Sequence, residues 1–236
     1  MNQRESGASG QGSSGSDQSL SVEIPAEVRL AADLHIPTHV QGVVLFAHGS
    51  GSSRHSPRNQ FVARELQKAG LATLLLDLLT EQEEAQDART GHLRFDIDLL
   101  ARRLIRAVNW TAQRSELHQV TAGLFGASTG AAAALIAASK APSLAAVVSR
   151  GGRPDLAGDA LAKVRAPVLL IVGGNDREVL GLNRMAMAQL HGETQLEIVP
   201  GATHLFEESG ALDQVAHLAQ EWFVRWLIPG PPAPAA

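Results

Sequence analysis

Residues 123–138 read GLFGASTGAAAALIAA: an apolar stretch, a glycine-punctuated turn carrying a serine, and a run of small apolar residues. Ser128 lies between Gly126 and Gly130, where a strand-like stretch over 120–125 gives way to a helix-like one over 129–140. A turn in a buried part of a protein ordinarily hides its polar atoms; this one is built to display one. The pattern G-x-S-x-G demands strand, sharp turn and helix in that order, and it holds the serine in a strained conformation with Oγ exposed. The flanking glycines let neighbouring backbone approach closely. Small residues at 131–138 allow the helix to pack tightly under the turn, and its N-terminus directs free N–H groups toward negative charge. On this reading Ser128 is a nucleophile.

Outward from the turn, apolar β-type runs alternate with helical patterns. Continuous apolar runs at 43–47, 71–76, 120–125, 145–149 and 168–172, with 194–199 as another, suit central strands buried on both faces. Residues 20–24 and 28–36 predict two edge-like strands. Helices are expected over 57–68, 95–114, 129–140, 156–164, 179–190 and 211–226. Within 95–114, Ile97, Leu100, Leu104, Ile105 and Val108 share one side, and Arg102, Arg103 and Arg106 the other. The alternation implies an α/β fold: a central, mostly parallel sheet of about eight strands flanked by helices, with no large cap domain. The longest connection, 77–94, carries Glu81, Glu83, Glu84 and Asp87 and reads as a solvated acidic loop, with a cover over a pocket as the alternative. Residues 1–18 form a flexible Gly/Ser-rich segment by composition, 19–228 the folded domain, and 229–236 a Pro/Ala-rich tail.

Composition narrows the partners. The 236 residues are 44% apolar and 19% charged, enough to build one sizeable core, and the formal charge of −4 offers no basic stripe for nucleic acid. Cysteine is absent, which removes disulfides, thiolate metal sites and a cysteine nucleophile together. The first twenty residues lack the apolar core of a secretory signal, and no run is long enough to span a membrane. The expected location is cytoplasmic.

A serine at its free pKa is a poor nucleophile and needs a base held by a third group. After the run at 168–172 the chain reads GGND, placing Asp176 on a loop leaving a strand; after 194–199 it reads PGATHLFEE, placing His204 on the next such loop. Both project from the carboxyl edge of the sheet, where open α/β sheets bind ligands. Asp155, one strand earlier in SRGGRPD, competes as the acid but reads more simply as an ion pair with Arg153. His191 and His217 fall at positions suited to surface roles, and His118 precedes the elbow strand. The oxyanion that forms on acyl transfer needs donors. The backbone N–H of Thr129 supplies one, and the glycine-rich loop after 43–47, His48-Gly49-Ser50-Gly51, supplies another from Ser50. His48 itself reads as a loop-fixing residue. Arg54, His55, Arg58, Arg150 and Arg153 follow strands or the oxyanion loop and are candidates for a substrate carboxylate, with solvated or salt-bridged arginines as the plainer reading. Trp222 and Trp226, at i and i+4, read as core packing with a dimer interface as the alternative.

HGSGSS at 48–53, GASTG at 126–130, GGND at 173–176 and GATHLF at 201–206, in that order, resemble the α/β-hydrolase fold, and closely its dienelactone-hydrolase-like, serine carboxylesterase branch. The similarity covers about residues 20–228. It implies a Ser128–His204–Asp176 triad, an acyl-enzyme intermediate and neither metal nor organic cofactor. True dienelactone hydrolases use a cysteine nucleophile, so a chain without cysteine does not inherit lactone specificity. The expected activity is hydrolysis of small carboxylic esters. A thioesterase or peptidase with the same triad, or a binding domain that kept the fold, are the alternatives. Related hydrolase domains also occur fused behind a phosphoribosyltransferase domain, and the Gly/Ser-rich start would suit such a junction or an association with another domain.

Overall fold

The computed structural model describes residues 16–23 and 28–228. Eight strands, β1 (Ser16–Glu23), β2 (Arg29–Ile36), β3 (Gly42–Ala47), β4 (Leu71–Leu76), β5 (Thr121–Ala127), β6 (Leu144–Arg150), β7 (Val168–Gly173) and β8 (Thr194–Val199), join in one sheet. Their order is β1-β2-β4-β3-β5-β6-β7-β8. From β4 to β8 every pairing is parallel, and β2 runs antiparallel to both β1 and β4. Six helices accompany them: α1 (Pro57–Lys68), α2 (Glu81–Thr90), α3 (Ile97–Ala112), α4 (Thr129–Lys140), α5 (Arg177–Met187) and α6 (Ala211–Leu227).

The continuous apolar runs explain the layering. Every residue of β3, β4 and β7 is buried, as a parallel sheet covered on both faces requires. Successive side chains point to opposite faces. Val43, Leu45 and Ala47 join the core under α3 and α4, while Val44 and Phe46 join the core under α1 and α6. No helix among the described residues is long and apolar enough to cross a membrane.

Several expectations are corrected by the structure. The acidic stretch 77–94 contains α2. Thr80 and Glu83 close a reciprocal capping box, and Gly91 ends the helix in the left-handed conformation. Its acidic residues are not simply solvated. Glu83 accepts two hydrogen bonds from Arg103, and Asp87 is buried against Arg94. Arg103, placed on the polar side of α3 by periodicity, is therefore buried. It also donates to the Leu78 carbonyl, so one residue joins α3, α2 and the loop after β4. The helix expected at 156–164 is a 3₁₀ run, Pro154–Lys163, broken at Gly158. The run at 194–199 forms a half-exposed edge strand rather than a central one. β1 opens at Ser16, inside the stretch read as flexible, whereas the rest of that stretch and the tail lie outside the described residues. Trp222 packs in the core with its ring centroid 6.0 Å from that of Trp226.

The elbow glycines are required by close backbone contact. A Cβ on Gly126 would lie 2.4 Å from the Ala131 Cα, and one on Gly130 would lie 2.3 Å from the Ala47 carbonyl oxygen. Neither neighbour is a side chain that can rotate away. Gly130→Ala is therefore expected to cost about 3 kcal/mol in urea unfolding. Gly181→Ala, on α5 with nothing within 4 Å of the added methyl, is expected to raise stability by about 0.5–1 kcal/mol.

Candidate active site

The strand-to-helix turn at Ser128 takes φ 50° and ψ −121°, far from the left-handed helical basin that non-glycine residues tolerate. The surrounding backbone holds it there. Ser128 N–H donates to the Arg150 carbonyl, and its own carbonyl accepts from Ala131 and Arg153. Among the described residues Ser128 Oγ has no hydrogen-bond partner. Strain of this kind, over-determined by its neighbours, marks functional turns.

The loops after β7 and β8 are tied to one another, which brings Asp176 to His204. Asn175 N–H donates to the Ala202 carbonyl at 2.9 Å, and its side-chain amide donates to the Gly201 carbonyl at 2.8 Å. Gly173 packs so closely beneath that a Cβ would sit 2.4 Å from the Ala202 oxygen. Asp176 Oδ2 then lies 2.7 Å from His204 Nδ1. A carboxylate can only accept there, so Nδ1 carries the proton and Nε2 is left as the acceptor nitrogen. Asp155, the competing acid, is bound through both oxygens by Arg153.

On the other wall lies the loop after β3. A Cβ on Gly49 would stand 3.0 Å from the Ser128 Cβ, a tight contact, so the loop packs closely against the elbow. Ser50 N–H, expected to face a forming oxyanion, donates to the Thr129 hydroxyl at 2.8 Å. The two expected donor residues are thus brought together, with one N–H engaged by the other's side chain.

His48 has the loop-fixing role expected of it. Its Nε2 accepts from Leu78 N–H at 3.2 Å, and its Nδ1 lies 3.0 Å from the Gly49 carbonyl, so the neutral Nδ1–H tautomer satisfies both. Burial holds its pKa below the ordinary histidine value. The folded protein therefore resists protonation where the unfolded chain accepts it. The stabilisation is complete above the ordinary histidine pKa and is lost as pH falls below it. From about pH 7 to about pH 5 the unfolding free energy should drop by up to about 1.4 kcal/mol per pH unit on this account. His48→Gln, which keeps a donor and an acceptor but does not titrate, should flatten that slope in urea titrations.

Two cavities meet at this loop. The smaller, about 240 Å³, is lined by Ser128, His204, Ser50 and Asn59 together with Arg58 and Arg150. The larger, about 500 Å³, lies beneath α2, with Leu79, Glu84, Asp87 and Arg94 in its wall. Gly49, Ser50, Ser52 and Ser56 are common to both. The 77–94 segment therefore does cover a pocket, and burial raises the Glu84 pKa there, helped by the nearby Asp77 charge.

Of the arginines named from sequence, Arg54 is engaged by Asp77 and Asp33, and Arg153 by Asp155. Neither lines the cavity at Ser128. Arg58 does, with one contact to Glu207 at 3.3 Å. His55 lines the larger cavity. Arg150, expected in a loop, is instead the last residue of β6 and is buried. Asn59 was missed altogether. It follows a serine cap and a proline at the start of α1, and only the fold reveals that its side chain turns inward.

A strained serine between glycines, with an Asp-bound histidine on the same cavity, invites comparison with known proteins. The dienelactone hydrolase family model matches residues 30–227. The chain belongs to the dienelactone hydrolase family. A crystal structure of dienelactone hydrolase from Anabaena variabilis is similar to it at 56% sequence identity and a TM-score of 0.88, over 90% of this chain and 99% of that one. Est1E from Butyrivibrio proteoclasticus shares the fold at 16% identity, with a TM-score of 0.73 over 90% of this chain and 98% of its own. A protein of Mycobacterium tuberculosis strain H37Rv, named a putative phosphoribosyl transferase, is 54% identical over 217 residues. That match takes in 91% of this chain but 48% of the relative, so the chain spans about half the length of the curated relatives it matches. Membership of the family makes the chain a hydrolase-type α/β protein.

Proposed function

We propose that this protein is a serine hydrolase that cleaves small carboxylic esters through an acyl-enzyme intermediate. The observation that carries the reading is His204, bound to Asp176 through Nδ1 at 2.7 Å, on the cavity into which the strained Ser128 opens. His204 Nε2 takes the Ser128 proton as Oγ bonds to the ester carbonyl carbon. The carbonyl π pair moves onto oxygen, where Thr129 N–H receives it. Ser50 N–H turns from the Thr129 hydroxyl to the same oxygen as its charge develops. Collapse expels the alcohol, which leaves with the proton held by His204. Water then repeats the sequence on the acyl-enzyme, its proton passing through His204 to Ser128, and releases the acid.

The 240 Å³ cavity suits a short acyl group, and the larger chamber across the Ser50 wall is suited to a leaving group. The curated relatives are about twice as long as the matched region, and we propose that this hydrolase unit works beside a further domain. The test is turnover of p-nitrophenyl acetate, butyrate and octanoate, with labelling by a fluorophosphonate read by mass spectrometry. Hydrolysis that falls with acyl length and a single adduct on Ser128 are expected. An unlabelled Ser128 in a protein that turns over none of the three esters would overturn the reading.

A further inference from the structure

The chamber beneath α2 holds one charge that the protein itself leaves unmatched. Apart from two histidines, the ionic side chains in its wall are Glu84, Asp87 and Arg94. Arg94 and Asp87 satisfy each other, with Nε donating to Oδ2 and Nη2 to the Asp87 carbonyl. Arg54, on the loop after β3, is met by Asp77. Glu84 has no such counterpart. Its half-buried carboxylate makes neither a hydrogen bond nor an ion pair among the described residues. Burial and the Asp77 charge push its pKa up, the direction expected of a carboxylate without a cation of its own.

The rest of the wall suits a small amphipathic group. Leu79, Ala88 and Leu100 offer apolar contact. The Ser50 and Ser52 hydroxyls, neither bonded to another described residue, offer oxygen acceptors. His48 accepts from Leu78 N–H through Nε2, so its ring is neutral and adds no opposing charge. Ser50 also lines the 240 Å³ cavity at Ser128, so the two spaces meet at the residue whose N–H faces the forming oxyanion. The lining at Ser128 contains no carboxylate. Of the two cavities, only the chamber under α2 therefore offers a cation its counter-charge.

We propose that the chamber is a subsite for a cationic leaving group, with Glu84 as its counter-ion, so that the substrate is an ester of an amino alcohol. This deepens the hydrolase reading by naming the alcohol half of the substrate, and it rests on that reading for the position of the ester. The acyl group occupies the cavity at Ser128, the ester oxygen crosses at Ser50, and the ammonium group lies under α2. A protonated amine donates its N–H to the Glu84 carboxylate, a charge-assisted bond that a neutral alcohol of the same shape cannot make.

The test is a pair of isosteric esters, 2-(dimethylamino)ethyl acetate, protonated at neutral pH, and uncharged 3-methylbutyl acetate. The wild type should favour the cationic ester by about tenfold in kcat/KM at low salt, and Glu84→Gln should bring that ratio to about twofold or less. Glu81→Gln, in the same first turn of α2 but outside the chamber wall, should leave the ratio unchanged. If Glu84→Gln does not fold, the wild type carries the test, because its preference for the cation should shrink as salt is raised. Binding is read without turnover on Ser128→Ala protein. Protonated 2-(dimethylamino)ethanol should raise the melting temperature more than 3-methylbutanol or sodium chloride at equal ionic strength, and the added Glu84→Gln change should remove the difference. Equal responses to the amine and its isostere, or a preference that survives in Glu84→Gln, overturn the subsite. A protein that binds the amine but hydrolyses neither ester keeps the subsite and loses the hydrolase reading. One that hydrolyses both esters equally and shows no response to the amine does the reverse.

Discussion

Ser128→Ala is expected to lower kcat for short esters by about 10⁵–10⁶-fold, leaving only the residual rate that binding and oxyanion stabilisation supply. The size follows from the division of labour at the elbow. In the mechanism we propose, His204 and Asp176 move a proton, but without Oγ no acyl-enzyme would form, and their contribution would vanish with the serine. KM reports substrate contacts that the mutation does not touch and should move little. The same position gives a second, independent readout. Alanine keeps the Cβ and therefore the strain of φ 50° and ψ −121°. Glycine releases it. Ser128→Gly should thus unfold at higher urea than Ser128→Ala, by about 1 kcal/mol, because relieved strain of about 1–3 kcal/mol exceeds the entropy glycine adds to the unfolded chain. A glycine variant less stable than the alanine one would mean that the turn is not strained.

Much of this architecture could be read from local chemistry. Apolar runs without alternation announced strands buried on both faces, and β3, β4 and β7 are buried throughout. Positions fixed by the neighbouring element in the chain were legible too. Ser128 follows β5 directly, and Asp176 and His204 lie on the loops after β7 and β8. What periodicity could not show was compensation between distant groups. Arg103 looked like a solvent-facing arginine because its partners, Glu83 and the Leu78 carbonyl, are 20 and 25 residues away in the chain. The 77–94 segment looked solvated for the converse reason: its acidic residues are neutralised from α3 and from Arg94. Thr80 and Glu83, spaced three apart before a helix-forming run, were the one local signal for α2. Arg150 shows the limit most clearly. A residue that closes an apolar strand beside the elbow strand must lie near Ser128, but nothing in the chain indicates that no carboxylate arrives to pair with it.

Asp176→Asn is expected to reduce kcat by about 10³–10⁴-fold, far more than one lost hydrogen bond would explain. The carboxylate accepts from Nδ1 of His204 across 2.7 Å, and by doing so it forces the tautomer that leaves the Nε2 lone pair for the Ser128 proton. An asparagine amide can turn its NH₂ toward Nδ1. The ring proton then moves to Nε2, which can no longer act as a base. The backbone contacts that position the loop, Asp176 N–H to the Gly173 carbonyl and Asn175 N–H to the Ala202 carbonyl, do not involve the substituted side chain, so folding should survive. In the proposed mechanism acylation and deacylation both use His204 as base, so both should slow. Asp155→Asn supplies the contrast. Its carboxylate is held by Arg153, away from His204, and its loss should leave kcat within about twofold. Should Asp155→Asn prove the damaging change and Asp176→Asn the mild one, the acid would belong to the loop after β6, and the pairing seen at His204 would have no part in the chemistry.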